Sequence, residues 1–223
     1  MTEKRSMAEL KSLMGLKDIK GLKNMNNEQW EAMYSNDMLT LEQFTPFKQQ
    51  IENPPYRYQW VLNKTENLGE GTYLDIGCNN GALTHLMSCK GFAAIGIDAS
   101  GKLLENCVKN VPKAKFVKGF ADQEIPFPSN HFKVISALEV LEHVQNPEKM
   151  VQEMIRVLKP NGKLLVTVPV DKAFDCPQHL RYFDFYTLGE LFEPFTDKFT
   201  ICKIYKSGTA ELQRKLFALE ATK

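Results

Sequence analysis

From Thr72 onward, short apolar runs alternate with segments whose apolar residues recur at helical spacing. Thr72–Ile76, Ala93–Ile97, Lys115–Val117, Val134–Ala137 and Lys163–Val168 read as strands, and Ala82–Ser88, Lys102–Asn110 and Pro147–Leu158 as the helices between them. The last helix shows the logic: Met150, Val151, Met154 and Leu158 share one face, Asn146 suits the N-cap, and Pro147 suits the first helical position, where its missing N–H costs nothing. Lys159-Pro160-Asn161-Gly162 reads as a turn. Repeated β–α units imply a parallel sheet covered by helices on both faces. Near the C-terminus the alternation stops. Phe199–Tyr205 and Leu216–Ala221 are two strands joined by a short polar loop, and they predict an antiparallel hairpin on the sheet edge. The expected fold is α/β, a mostly parallel seven-stranded sheet with helices on both faces; no element is assigned between Phe183 and Phe199.

The N-terminal stretch has a different texture. Residues 1–27 are lysine-rich and interrupted by Gly15 and Gly21, which weakens the helical spacing of Leu10, Leu13 and Met14. Residues 28–52 carry Trp30, Met33, Tyr34, Phe44 and Phe47 among polar positions, the signature of short amphipathic helices. Pro54-Pro55 punctuates the chain before a helix over Tyr56–Leu68. The expected division is a helical extension or lid over 1–55 and one α/β domain over 56–223, with Trp30, Tyr34 and Tyr58 as lid aromatics.

Composition narrows the field. The 223 residues include 28 basic and 27 acidic side chains, so no net field draws the protein to nucleic acid or an anionic membrane. Five scattered cysteines without CxxC spacing argue against a disulfide framework or zinc knuckle and fit a reducing compartment. The first residues hold no apolar run of signal or membrane-span length, and a cytoplasmic protein is expected.

The chemistry-bearing stretch is Tyr73-Leu74-Asp75-Ile76-Gly77-Cys78-Asn79-Asn80-Gly81, a strand that runs into a glycine-bearing turn and then a helix. Such turns place ligands at the carboxyl edge of a sheet. Asp75 selects among ligands: a carboxylate at the strand's end opposes a pyrophosphate and favours a group carrying ammonium and sulfonium charge. Asn79 stands where a GxGxxG motif would have its second glycine, which also disfavours a dinucleotide. Asp98 ends the next strand, where a carboxylate can accept both ribose hydroxyls; capping the helix near Gly101 is its simpler alternative.

Four segments, LDIGCNNG, GIDAS, IPFPSNHFKVISALEVLEHV and RVLKPNGKLLVTVP, resemble the class I S-adenosylmethionine-dependent methyltransferases, and among them the branch with the ubiquinone-biosynthesis enzymes. The likeness spans about residues 56–206 and implies a Rossmann-like fold with S-adenosyl-L-methionine as cofactor. It implies that Asp75, Gly77 and Gly81 surround the methionine moiety, that Asp98 binds the ribose, and that Ala99 lies beside the adenine. Cys78, Asn79, Ala121, Asp122 and Leu138 complete the expected cofactor contacts. The chain departs from the pattern in three places. Asn79 replaces a glycine, Phe120 replaces an acid that often meets the adenine (with Asp122 a possible substitute), and Lys133 enters the fourth strand.

The acceptor side follows that strand. If Glu139-Val140-Leu141-Glu142-His143 is one helical turn, then Glu139, Glu142 and His143 share a face, and His143 is a candidate general base with Glu139 beside it. His179, from the HLRYF string after strand five, is the third candidate, and Arg181 is a candidate grip on an acidic or hydroxylated substrate. The two glutamates with both histidines also make a conceivable oxygen/nitrogen metal set, as in small-RNA 2′-O-methyltransferases and certain ubiquinone-pathway enzymes that the ExxEH pattern resembles; the reading adopted assigns no metal. The expected function is methyl transfer to a small molecule, with oxygen slightly favoured. The alternatives are a metal-assisted RNA or other macromolecular methyltransferase, and a non-catalytic S-adenosylmethionine-binding protein.

Overall fold

A computed structural model describes residues 26, 28–29, 46–170, 178–205 and 215–223. The readings for residues 1–25, for 30–45 with Trp30, Met33, Tyr34 and Phe44, and for the loop before Leu216 lie outside these. The described elements, in chain order, are α1 (Phe47–Glu52), α2 (Tyr56–Lys64), β1 (Gly71–Ile76), α3 (Ala82–Cys89), β2 (Phe92–Asp98), α4 (Gly101–Asn110), β3 (Lys115–Lys118), β4 (Phe132–Leu138), α5 (Pro147–Val157), β5 (Leu158–Pro169), α6 (Phe185–Phe192), β6 (Phe199–Ile204) and β7 (Leu216–Thr222).

The seven strands form one sheet in the order β3-β2-β1-β4-β5-β7-β6. The first five are parallel neighbours, while β7 runs antiparallel to both β5 and β6. The expected hairpin therefore exists, with its second strand inserted beside β5 and its first left at the edge. Alternation along each strand sends adjacent residues to opposite faces. Leu74, Ile76, Ile135, Ala137, Leu164 and Val166 pack into the layer covered by α5 and α6. Tyr73, Val134 and Leu165 join the other layer with α2 and α3.

Asn146 caps α5 as expected, its Oδ1 accepting from the Lys149 N–H at 3.1 Å. The turn expected at 159–162 is instead part of β5. That strand begins directly after α5 and bulges, so that Phe132 and Val134 of β4 pair with Leu158 and Lys163. Asn161 supplies the left-handed residue that the bulge needs (φ 60°), and its N–H donates to the Lys223 carbonyl at 3.1 Å. Lys133 lies at the entrance of β4, as expected, and its ammonium caps the Leu68 and Glu70 carbonyls.

One element escaped the sequence reading. α6 begins with a reciprocal cap, in which the Asp184 carboxylate accepts from the Thr187 N–H at 2.7 Å and the Thr187 hydroxyl accepts from the Asp184 N–H at 2.9 Å. Its signal was present as Asp184, Thr187 and the Leu188–Leu191–Phe192 spacing, but dense aromatic residues around it mask a helical period. Leu188, Leu191 and Phe192 are fully buried. Phe192→Ala is expected to lower unfolding free energy by about 3–5 kcal/mol, measured as a shifted urea midpoint at unchanged slope.

Candidate active site

The parallel register brings the carboxyl ends of β1, β2 and β4 to one edge of the sheet, with Ile76 paired to both Ile97 and Ala137. A cavity of about 570 Å³ opens there. All of the expected cofactor positions line it except Gly81. Gly81 acts one step back: it is the left-handed N-cap of α3 (φ 78°), and its N–H closes the turn on the Cys78 carbonyl at 2.9 Å. Gly77 also adopts positive φ (69°), and a Cβ there would come within 2.5 Å of Val140 Cγ2. Asn79 takes a left-handed conformation (φ 50°), which asparagine tolerates, so it can stand where the resemblance implies a glycine.

Asp75 is buried in a hydroxyl network. Its oxygens accept from Thr84 Oγ1 at 2.7 Å and from Ser136 Oγ at 2.9 Å, and Ser136 Oγ lies 2.5 Å from the Tyr73 hydroxyl. The register explains the contact, because Asp75 and Ser136 are paired residues on adjacent parallel strands. Burial pushes the Asp75 carboxyl up to about 6, against the opposing pull of the Thr84, Ser136 and Tyr73 hydroxyls.

Asp98 is held by backbone. Oδ2 accepts from the Asn79 N–H and Oδ1 from the Ser100 N–H, both at 2.9 Å. Burial raises its pKa, partly opposed by these N–H donors. The simpler reading of Asp98 as the helix cap does not describe the structure, since Ser100 caps α4, with its Oγ accepting from the Leu103 N–H at 3.4 Å. The Asp98 carboxylate thus locks the glycine-bearing turn against β2 while lining the cavity. Ala99, Phe120, Ala121 and Asp122 line the cavity as well, and Asp122 Oδ2 accepts from the Asn146 N–H at 3.0 Å.

Glu139, His143 and His179 also line the cavity, but Glu139, Glu142 and His143 do not form the helical face expected. Residues 139–143 form a turn. Glu139 adopts φ 59° and donates its N–H to the Thr167 carbonyl, so that its side chain turns away from the histidines toward Arg57 (Nε to Oε1 3.3 Å). Glu142 Oε1 lies 4.0 Å from His143 Nε2, and the rings of His143 and His179 meet edge to face with centroids 4.8 Å apart. His143 Nδ1 sits 3.2 Å from the Gln178 carbonyl. A carbonyl can only accept, which assigns the Nδ1 proton and leaves Nε2 as the basic nitrogen. Glu142, His143 and His179 bring three ligand-type atoms within 4.8 Å of one another, so the structure places Glu142 in the cluster and Glu139 outside it.

One sequence reading changes here. Arg181 is buried, and its guanidinium donates to the carbonyls of Leu141, Val144 and Gln145, so it does not line the cavity as the substrate grip expected. Conversely Arg57, Gln50 and Tyr58 enter the cavity wall from α1 and α2. The Tyr58 hydroxyl, pushed to about 12 by burial, donates to Gln50 Oε1 at 3.0 Å. Arg57 escaped the sequence reading because a single arginine in an amphipathic helix carries no local signature, whereas Tyr58 was already a candidate lid aromatic.

The Asp75 environment fixes the sign of one pH effect. Between about pH 4 and pH 6 the unfolded chain releases the Asp75 proton while the folded chain keeps it, so this group's contribution to stability falls as pH rises, by about 3 kcal/mol in total. Urea unfolding of Asp75→Asn across that range is expected to show a correspondingly flatter dependence on pH than the natural sequence.

The geometry has parallels among known proteins. The sequence profile of the methyltransferase domain family matches residues 51–204. A ubiquinone biosynthesis O-methyltransferase from Vibrio atlanticus is 28% identical over 120 residues, covering 52% of this chain and 51% of its own length. The chain thus spans about half the length of the curated relatives it matches. Among solved structures, a SAM-dependent methyltransferase from Thermotoga maritima, described as a possible histamine N-methyltransferase, superposes with TM-score 0.64 at 19% identity, covering 86% of this chain and 98% of that one. The [4+2]-cyclase SpnF superposes with TM-score 0.65 at 17% identity, covering 89% and 97%. At such identities these superpositions establish the Rossmann-like fold alone. No helix among the described residues is long and apolar enough to cross a membrane. The profile match over most of the chain is decisive, and the chain belongs to the methyltransferase domain family, whose S-adenosyl-L-methionine-dependent members use that molecule as methyl donor.

Proposed function

We propose that this protein transfers the methyl group of S-adenosyl-L-methionine to a small-molecule acceptor held beside His143 and His179, with oxygen the favoured acceptor atom. The observation that carries the reading is one cavity lined both by Asp75, Asp98 and Arg57 and by His143 and His179, with a Glu142 oxygen within 4.8 Å of the two imidazoles. In this reading Asp98 accepts the ribose hydroxyls with the lone pairs left beside its two N–H bonds. Arg57 meets the methionine carboxylate, and the negative ends of Asp75 and Glu139 favour the ammonium and sulfonium charge. Ala99, Ala121 and Leu138 flank the adenosyl group, and Asp122 offers a carboxylate at the adenine edge. Gln50 and Tyr58 support α1 and α2 as a cover over the site.

Transfer is an in-line displacement. The acceptor oxygen bonds the methyl carbon as the carbon–sulfur bond breaks, leaving the thioether of S-adenosylhomocysteine. The acceptor proton passes to His143 Nε2, and the nearby Glu142 carboxylate stabilises the resulting imidazolium. Positioning supplies much of the rate in such reactions. Relatives of one fold run different reactions, as the cyclase shows, so the site and not the fold carries this proposal.

The Glu142–His143–His179 cluster favours a second reading, a divalent-cation-assisted methyltransferase. Two imidazoles and a carboxylate suit a cation of borderline hardness, which would lower the acceptor hydroxyl's pKa. Calorimetric titration of the chelator-treated protein with Zn²⁺ or Mn²⁺, repeated on Glu142→Gln, separates the readings. Heat in the natural sequence that vanishes in the variant supports the cation, and no heat in either leaves His143 as an unassisted base.

Asp98→Ala is expected to weaken S-adenosylhomocysteine binding by about tenfold to a hundredfold with an unchanged circular dichroism spectrum; unchanged affinity in a folded variant would remove the ribose assignment. His143→Ala is expected to slow methyl transfer by about a hundredfold while cofactor affinity stays within about twofold. An unaltered pH–rate profile in that variant would return His143 to a structural part. Binding of NAD in preference to S-adenosylhomocysteine would overturn the proposal as a whole.

A further inference from the structure

We infer that Arg181 is a positioning residue for the acceptor end of the site, the clamp that fixes the turn carrying Glu142 and His143 against the segment carrying His179. The inference rests on the reading that this turn bears the reacting base, and it adds the part that holds the base in place. Residues 141–145 lie between β4 and α5, so their carbonyls have no sheet or helix ladder to satisfy them. The Arg181 guanidinium fills that need. Nη1 donates to the Leu141 carbonyl at 2.9 Å and to the Val144 carbonyl, and Nη2 donates to the Gln145 carbonyl at 3.2 Å. One planar fork thus spans the turn, and the side chain is 3% exposed.

The two segments also bind each other through backbone. The Leu180 N–H donates to the Glu142 carbonyl at 2.8 Å, and His143 Nδ1–H donates to the Gln178 carbonyl at 3.2 Å. Arg181 closes this ladder two residues beyond His179. The consequence is geometric: the His143 and His179 rings keep their edge-to-face contact only while 141–145 and 178–181 move as one body. Lysine cannot replace the fork. An ammonium offers three donors from a single point and cannot reach carbonyls spread over five residues in a fixed plane. A shifted turn would rotate His143 Nε2 away from the acceptor and leave the Asp75 and Asp98 contacts, built on β1 and β2, in place.

The chain contains four histidines, which makes a direct test practicable. His85 on α3 and His131 before β4 serve as internal references, since His85 packs against Phe47 and Cys89 and His131 against Phe127 and Phe132. Ring-labelled histidine spectra of the full chain are compared for the natural sequence, Arg181→Lys and Arg181→Met at one fixed pH. The expected result is that the His143 and His179 ring signals shift beyond their line widths in both variants, less in the lysine form, while His85 and His131 superpose. S-adenosylhomocysteine affinity should stay within about twofold. If the methionine variant does not fold, the lysine variant decides alone. Unmoved His143 and His179 signals in a folded variant overturn the clamp, and so does movement of all four. Failure of the natural sequence to bind S-adenosylhomocysteine would instead remove the methyltransferase proposal, with the ring signals still deciding the part played by Arg181.

Discussion

Everything at this site depends on the parallel register that ends β1, β2 and β4 at a common edge. With Ile76 level with Ile97 and Ala137, the chain leaves the sheet at nearly the same level on all three strands: at Gly77 after β1, at Ala99 after β2, whose last residue is Asp98, and at Glu139 after β4. Backbone that has left a sheet must find new partners. Asp98 supplies one by accepting the Asn79 N–H, and the Thr167 carbonyl supplies another by accepting the Glu139 N–H. The cavity is the space these departures enclose, and its floor is rigid because side chains and neighbouring strands hold the departing backbone in place.

Asp75 shows how the same register sets electrostatics. Pairing with Ser136 places two polar groups side by side on a face otherwise packed with Tyr73, Val134 and Leu165. A carboxyl buried there keeps its proton to about pH 6 unless something compensates its charge, and the Thr84 and Ser136 hydroxyls do so only in part. A cationic ligand in the adjoining cavity would complete the compensation. In the proposed function, the group whose burial costs stability is the one that would favour a sulfonium-bearing cofactor over a pyrophosphate.

The acceptor end is built differently. Its side chains ride on a turn and on the segment before α6, neither of them part of the sheet, so their positions depend on cross-links between loops. Arg181, the Leu180 N–H and the His143–Gln178 contact are those links. Loops held on a rigid scaffold are where function varies among proteins of one fold.

The order of strands and helices from Thr72 to Val168 was legible in the sequence, as were the Asn146 cap, the left-handed Asn79 and the acids at the strand ends, because each leaves a local mark: a period, a capping residue, a glycine spacing. Other features depended on tertiary contacts. The helix Phe185–Phe192 is hidden among aromatic residues whose burial only the packed sheet explains. Glu139 and Glu142 are three apart in a segment that reads as one helical face, yet the Thr167 carbonyl pulls Glu139 into a left-handed turn and separates them. Arg57 reached the cavity, and Arg181 left it for the carbonyls of a distant turn, through contacts far apart along the chain. Sequence spacing determined which residues gather at the carboxyl edge of the sheet. Only the closing of the fold, which satisfied each buried donor and acceptor in turn, decided which way the remaining side chains faced.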